Sequence, residues 1–331
     1  MLSSVKDRRE AGGPPVGFVG STGMETGTAR ADGRVVHPER GRDGMYESFY
    51  GLRERPFMTL PDPDFLYWSD NHIMAFTMLR YGVMTRAPIT VITGEVGAGK
   101  TTLLRKLLRE LPEDVTVGLV SNMQEGRGEL LHWVMMALDQ PFDASEPYVS
   151  LFKRFQDFVI DCYARRKRVI LIVDEAQNLG VKCLEELRML SNINSEKDEL
   201  LQLILVGQPE LRELISRPEL RQFSQRISSD FNLAPLSKAE TVKYIRRRLA
   251  IAGATHEIFP TRTCELIHDA TAGTPRLVNI LCDFCLLYGY SAESPVIGEE
   301  LLNEFLESAK ARGIYNQFAA PRPSPKLVSE K

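Results

Sequence analysis

Through the middle of this chain, short apolar runs of strand length alternate with amphipathic stretches of helical period. Residues 88–93 (PITVIT), 115–120 (VTVGLV), 168–174 (RVILIVD) and 200–207 (LLQLILVG) are such runs, and 230–236 (DFNLAPL) is a weaker fifth. Helical patterns fill the intervals at 100–110, 128–139, 148–165, 180–193 and 209–216. A strand that is apolar throughout has to be covered on both faces, so the alternation predicts an α/β fold with a parallel sheet flanked by helices. After Pro235 the strand pattern stops. Helical patterns near 237–252, 261–271, 274–290 and 298–311 predict a small all-helical domain. An earlier helix at 70–82 (DNHIMAFTMLRYG) carries methionine and aromatic residues at helical spacing, and these are expected in the core.

The ends read differently. Residues 1–44 are rich in Gly, Arg and Pro and show no apolar periodicity. Such a composition cannot bury enough surface to offset the entropy of ordering, so a disordered N-terminal extension is expected. Aromatic residues arrive abruptly in MYESFYGLRERPF (45–57), where the folded protein is expected to begin, and Met45 is itself a candidate initiator. Residues 313–331 form a Pro- and charge-rich tail, also expected to be disordered. The expected organisation is an α/β domain over 45–235 and a helical lid domain over 236–312.

Composition narrows the class. The 331 residues are 43% hydrophobic and 26% charged, as in ordinary globular proteins, and the net charge of −3 argues against a generally basic nucleic-acid binder. No apolar run approaches the roughly 18 residues that span a bilayer. The first residues lack the apolar segment of a signal peptide. The five cysteines, an odd number, do not suggest a disulfide framework, so a reducing cytoplasm is the expected compartment. Cys282 and Cys285 form a C-x-x-C in an apolar helical stretch. With no second pair or histidines at ligand spacing, they read as buried packing residues rather than zinc ligands.

The chemistry starts at TGEVGAGKTT (93–102). Gly94, Gly99, Lys100 and Thr101 fit the phosphate-loop pattern G-x-x-x-x-G-K-[ST], between a predicted strand and a predicted helix. Glycines let the backbone curl so that amides of Gly94, Glu95, Val96, Gly97, Ala98, Gly99, Lys100, Thr101 and Thr102 can cradle phosphate at a helix N-terminus. Lys100 supplies a mobile charge for the β and γ phosphates, and the Thr101 hydroxyl is suited to magnesium. Downstream, Asp174 and Glu175 stand at the carboxyl end of a buried strand, where an acid is costly unless it meets a cation or a cleft. Asp174 is placed to hold magnesium, and Glu175 to polarise the water that attacks a γ-phosphate. The second carboxylate favours hydrolysis over small-molecule phosphorylation.

With these motifs the sequence resembles the AAA+ superfamily of phosphate-loop ATPases. More narrowly it is similar to the ExeA/GspA-type ATPases of bacterial secretion loci and the related ATPases of exopolysaccharide/PEP-CTERM loci. The resemblance covers about residues 45 to 310. It is carried by MYESFYGLRERPF (45–57), LPDPDFLYWSDNH (60–72), the phosphate loop, VDEAQNL (173–179), LILVGQPELRELI (203–215), LRQFSQRI (220–227) and GTPRLVNILCD (273–283). It implies ATP and Mg2+ as cofactors, and Gln208 as the polar sensor, where many AAA+ proteins have Asn or Thr. It implies an arginine finger that reaches a neighbouring subunit's nucleotide, Arg226 or else Arg221, and Arg276 as a second sensor at the γ-phosphate. The LPDPDFLYW segment is expected either beside the adenine or in the core.

The resemblance also implies a homo-oligomer, with a ring as one form, that works on envelope secretion or polysaccharide-export components. Family members carry a membrane span and a peptidoglycan-binding domain after the ATPase. Neither is read in these residues, so membrane attachment is expected through a partner. The alternative is a DNA-associated ATPase regulator of the TniB/MuB transposition type. The basic cluster VKYIRRRL (242–249) speaks for nucleic acid, but Arg246, Arg247 and Arg248 on a predicted helix read as a solvated face, and no winged-helix module follows. A helicase would need two strand-rich motor domains, whereas the strands end by about 236. A module that binds ATP without hydrolysing it is a further reading.

Overall fold

The computed structural model describes residues 45–60, 62–121, 123, 129–193 and 198–311; the expectations for 1–44 and for 312–331 lie outside them. The chain opens with a single turn, α1 (Glu47–Tyr50), and continues to α2 (Asp70–Met84) and the first strand, β1 (Ile89–Gly94). Then come α3 (Lys100–Glu110), β2 (Val115–Val120), α4 (Leu130–Ala137), α5 (Tyr148–Ala164), β3 (Arg168–Val173) and α6 (Gly180–Leu190). The α/β part closes with β4 (Leu201–Gly207), α7 (Pro209–Ile215), α8 (Arg221–Ser224) and β5 (Ile227–Leu233). The remainder is helical: α9 (Lys238–Ile251), α10 (Thr261–Thr271), α11 (Pro275–Ser291) and α12 (Glu299–Ala311).

Among the described residues the strands form one five-stranded parallel sheet in the order β2-β3-β4-β1-β5. Successive residues of a strand point to opposite faces, and here both faces are apolar. Val91, Leu171 and Leu203 pack into one cluster with α4 to α8, while Ile92, Ile170 and Ile204 pack into another with α2 and α3. That is the two-sided cover that the continuous apolar runs require.

The fifth strand lies three residues earlier than its apolar pattern suggests, at 227–233 rather than 230–236. It is an edge strand whose exposed positions carry Ser228, Asp230 and Asn232, so it alternates instead of forming an apolar run. Pro235 has no N–H to give a ladder, and the chain leaves the sheet there. Helix α2 also departs from expectation. Phe76, Leu79 and Val83 are buried, but Met74, Tyr81 and Met84 are exposed, because only the stripe facing β5 and α3 is covered.

A larger difference concerns the opening segment. Tyr46, Tyr50, Leu52 and Phe57 share one apolar cluster with Ile245, Leu249, Phe259, Leu281 and Leu286 of the helical part. The Tyr50 hydroxyl lies 3.2 Å from the carbonyl of Leu286 and 3.1 Å from that of Ser294. The Tyr46 hydroxyl donates to Asp283, which also pairs with Arg55 at 2.5 Å. Residues 45–57, expected within the α/β domain, are thus built into the helical core. The lid is made from both ends of the folded chain, which crosses between the two cores at 58–69 and again at 233–237. At the second crossing the Leu236 N–H donates to the Gly273 carbonyl at 3.0 Å, and a Cβ on Gly273 would lie 1.9 Å from the Leu236 oxygen. Only glycine permits that approach.

Cys282 and Cys285 are fully buried in the lid, and desolvation pushes both thiols well up, so they pack as small hydrophobes. If the opening segment is a structural part of the lid, Tyr50→Ala lowers stability by about 3–5 kcal/mol, as truncation of a buried aromatic does. Urea unfolding measures this, and a loss near zero would show that the segment is dispensable to the core.

Candidate functional site

Strand β4 lies between β1 and β3, so the carboxyl ends of these strands bring three sequence-distant segments side by side. The glycine loop follows β1, Asp174 and Glu175 follow β3, and Gln208 follows β4 between them. This is the edge of a parallel α/β sheet where ligands bind. A cavity of about 400 Å³ opens there, lined by the loop, by Glu175, by the 58–67 segment and by the lid residues Tyr244, Arg248, Pro275, Arg276 and Asn279.

The loop runs from Gly94 into α3, whose first residue is Lys100, with Gly97 and Gly99 at φ of 81° and 104°. Lys100 is buried to 7% exposure, and its Nζ donates to the carbonyls of Gly94 at 2.7 Å and Glu95 at 3.0 Å. Burial pushes its pKa down against the pull of the Glu175 and Asp174 carboxylates. Thr101 directs its hydroxyl at Asp174 across 3.4 Å. Desolvation, with help from the Glu175 charge, raises the Asp174 pKa. A hydroxyl and a carboxylate side by side are hard oxygen donors of the kind magnesium takes together with nucleotide phosphates. Among the described residues no group of three or more His, Cys, Asp or Glu could hold an ion.

Glu175 has a left-handed backbone, φ 56°, ψ 39°, an uncommon conformation for a residue with a side chain. Its Oε2 accepts from Gln177 Nε2 at 2.7 Å and from Gln208 Nε2 at 3.1 Å, and Gln177 Oε1 accepts the Gln208 backbone N–H at 3.0 Å. Burial opposes ionisation of Glu175. The two amide bonds and the Lys100 charge outweigh it, so its pKa falls below the ordinary range. The result is an ionised carboxylate held in one place beside the loop.

The remaining expected residues divide between the two ends of the sheet. Arg276, on the first turn of α11, lines the cavity, and its backbone N–H donates to the Gly97 carbonyl at 3.2 Å. A Cβ on Gly97 would lie 2.4 Å from that of Arg276, so the glycine lets the lid rest on the loop. Arg226 stands elsewhere. It immediately precedes Ile227, which pairs with Ile89 at the start of β1, whereas Gly94 pairs with Leu233. Five residues of strand, roughly 16 Å, separate that end from the loop. Arg226 Nη1 donates to Ser191 Oγ at 2.6 Å, and Arg221 is exposed on α8. Neither is brought to the cavity of its own chain.

Several residues in or beside the cavity carry no role in the sequence reading. His72 is buried at 3% exposure, with Nδ1 2.6 Å from Ser69 Oγ and Nε2 3.1 Å from the Ala98 carbonyl. A carbonyl only accepts, so Nε2 carries the proton and the ring ties α2 to the loop. The S-x-x-H spacing at the start of α2 carried that signal. Gln177 was visible only as the fourth letter of DEAQ. Arg248 overturns an expectation: it is buried at 6% exposure and lines the cavity rather than joining a solvated face. It shares its side of α9 with Thr241, Tyr244 and Ile245, at helical spacing. Of the LPDPDFLYW segment, Leu60, Asp62, Phe65, Leu66 and Tyr67 line the cavity, and Phe65 is also buried.

Comparison with known proteins places this geometry. A family model described as an AAA domain matches residues 83–215. General secretion pathway protein A of Aeromonas hydrophila is 37% identical over 250 residues, which are 76% of this chain and 46% of that protein, so the chain spans under half of its relative's length. Among solved structures, the ORC2 protein of Aeropyrum pernix in ADPNP-ADP complexes superposes with a TM-score of 0.56 at 18% identity, covering 76% of this chain and 71% of that one. Drosophila ORC bound to DNA gives 0.59 at 17% identity over 88% and 73% of the two chains. Cdc6p from Pyrobaculum aerophilum gives 0.56 at 18% identity over 79% and 70%. These likenesses establish the fold, a P-loop AAA+ core with a helical carboxyl-terminal part.

Burial lowers the pKa of His72 from its ordinary 6.5, so the folded state resists its protonation more than the unfolded chain does. Its contribution to stability is present above about 6.5 and is lost as pH falls from there through the lower folded value. Unfolding free energies of the wild type and His72→Gln across pH 5–7 are expected to differ in slope, with the variant flatter. Parallel curves would remove His72 from the acid dependence.

Proposed function

Starting from an AAA+ nucleotide-binding ATPase fold related in sequence to a general secretion pathway protein A, we propose that this chain hydrolyses ATP with magnesium and uses the cycle to drive or regulate assembly of a bacterial secretion or exopolysaccharide-export system. The observation that carries the hydrolytic part is the Glu175 carboxylate, held by Gln177 and Gln208 beside a phosphate-type loop.

In this reading the amides of residues 94–102 receive the phosphate tail. Lys100 exchanges the Gly94 and Glu95 carbonyls for β- and γ-phosphate oxygens, a stronger charge-assisted pairing. Thr101 and Asp174 hold magnesium, which would neutralise charge on those oxygens. Glu175 takes a proton from the attacking water as its oxygen bonds to the γ-phosphorus, and the bond to ADP breaks. Gln208 orients that carboxylate, and Arg276 brings the lid onto the γ-phosphate. Arg226, remote from its own loop, serves the site of a neighbouring copy, with Arg221 the second candidate. A homo-oligomer follows, because each site is completed by the next chain.

The secretion assignment rests on the kinship with general secretion pathway protein A. No described helix is long and apolar enough to cross a membrane. We place the protein in the cytoplasm, peripheral at the inner membrane through an export partner. A DNA-associated regulator is the second reading, favoured by the fold shared with ORC bound to DNA. Against it, Arg248 is buried and Arg246 is engaged with Glu257 at 2.8 Å, which leaves the basic run less charge to offer phosphates.

Glu175→Gln and Arg226→Ala are each expected to bind ATP and to lose turnover by at least about a hundredfold. Equimolar mixing restores part of the rate, because joints form in which an intact Arg226 meets an intact Glu175. Mixtures as inactive as the separate variants would refute action across a subunit joint.

A further inference from the structure

Arg248 projects from the lid helix α9 and lines the cavity together with Met58, Phe65 and Tyr67. Its Nε donates to the Pro56 carbonyl at 2.5 Å, Nη1 to the Tyr244 hydroxyl at 2.8 Å and Nη2 to the Met58 carbonyl at 3.4 Å. The guanidinium lies over the Phe65 ring, 4.9 Å from its centroid, and over Tyr244 at 5.6 Å. Among the described residues its neighbours are carbonyls, a hydroxyl and aromatic faces, with no carboxylate within 4 Å. Asn279 Nδ2 shares the Met58 carbonyl at 3.2 Å, while Asn279 Oδ1 accepts from the Tyr244 hydroxyl at 2.7 Å. Tyr67, on the cavity wall, meets Tyr244 edge-on at 6.0 Å.

A buried cation without an anion is costly, and a lid that needed only packing would use an apolar residue here. What the guanidinium supplies is a planar fork. It donates to the Pro56 carbonyl, shares the Met58 carbonyl with Asn279, and holds the Phe65 ring by lying over it. Met58 and Phe65 line the cavity, and Pro56 lies two residues before Met58 in the chain; with the phosphates on the loop, this wall is left to the nucleoside of a bound nucleotide.

We propose that Arg248 is a positioning residue for nucleoside recognition: acting through Pro56, Met58 and Phe65, it shapes the nucleoside end of the cavity and makes affinity depend on more than the phosphates. The proposal rests on the reading of this cavity as an ATP site. The lid then acts at both ends of the nucleotide, through Arg276 at the phosphates and through the wall that Arg248 holds at the nucleoside.

Calorimetric titration of the full chain with Mg-ATP and, separately, with inorganic tripolyphosphate tests the assignment. The wild type is expected to bind ATP more tightly than tripolyphosphate. Arg248→Ala weakens ATP on the order of tenfold while leaving tripolyphosphate within about twofold, since the lost bonds involve a charged donor at the nucleoside end only. Arg248→Lys does not restore ATP affinity, because an ammonium cannot span both carbonyls and stack on the ring. Unchanged ATP affinity in Arg248→Ala, or equal weakening of both ligands, overturns the proposal. Should Arg248→Ala fail to fold, Tyr244→Phe removes one hydroxyl of the network. It is expected to weaken ATP about threefold and spare tripolyphosphate, and unchanged ATP binding in that variant is equally decisive. A wild type that binds no ATP would overturn the ATP reading itself, an outcome distinct from loss of the Arg248 effect.

Discussion

The buried ammonium of Lys100 is the constraint around which the rest is arranged. An amine at 7% exposure survives as a cation only where oxygens surround it, and here the Gly94 and Glu95 carbonyls do so, with Glu175 and Asp174 acting from farther away. Holding those carbonyls around the amine requires the loop's left-handed turns at Gly97 and Gly99. It also requires a strand end on one side and a helix start on the other, and the parallel sheet provides both. The same site holds two carboxylates of opposite tendency, Asp174 pushed toward protonation by burial and Glu175 kept ionised by two amides. Divergent environments let adjacent acids take different roles, which in the proposed function are metal binding and proton transfer.

The helical part depends on this arrangement for its position. Arg276 rests on Gly97 at the phosphate end, and the crossing at 58–69 forms the other wall of the cavity. Because residues 45–57 belong to the lid core, the cavity is bordered by both connections between lid and sheet. Any rotation of the lid against the sheet therefore alters both ends of the site together, which is the geometry a nucleotide-driven switch needs. Arg226 stands at the opposite edge of the sheet, where it has no access to the cavity of its own chain.

Most of the sheet and the loop were legible in the sequence, because continuous apolar runs and a glycine-lysine signature report local and unambiguous demands. β5 was misplaced by three residues because an edge strand needs only half of its positions apolar. Packing of the opening segment on the lid was not legible, since an aromatic-rich turn says that it must be buried but not against which partner. Met74, Tyr81 and Met84 show the converse: apolar side chains at helical spacing, yet exposed, because the neighbouring elements cover only one stripe of α2. Arg248 was the readable miss. Its four-residue spacing from Tyr244 puts it on the inward side of α9, but a run of three arginines hides the one that faces in. His72 shows its Ser69 partner in the S-x-x-H spacing, but its contact with Ala98, like that of Gln177 with Gln208, joins elements that no single stretch of sequence reveals.

In the proposed site a triphosphate and its metal lodge between the amides of 94–102 and the carboxylates of 174 and 175, under the lid. The most direct measurement is a crystal structure with magnesium and a slowly hydrolysed ATP analogue. Phosphate density is expected within hydrogen-bonding distance of the loop amides, with Lys100 Nζ moved from its own carbonyls to phosphate oxygen and the metal against Thr101 and Asp174. Analogue bound elsewhere, with Lys100 still closed on Gly94 and Glu95, would contradict it.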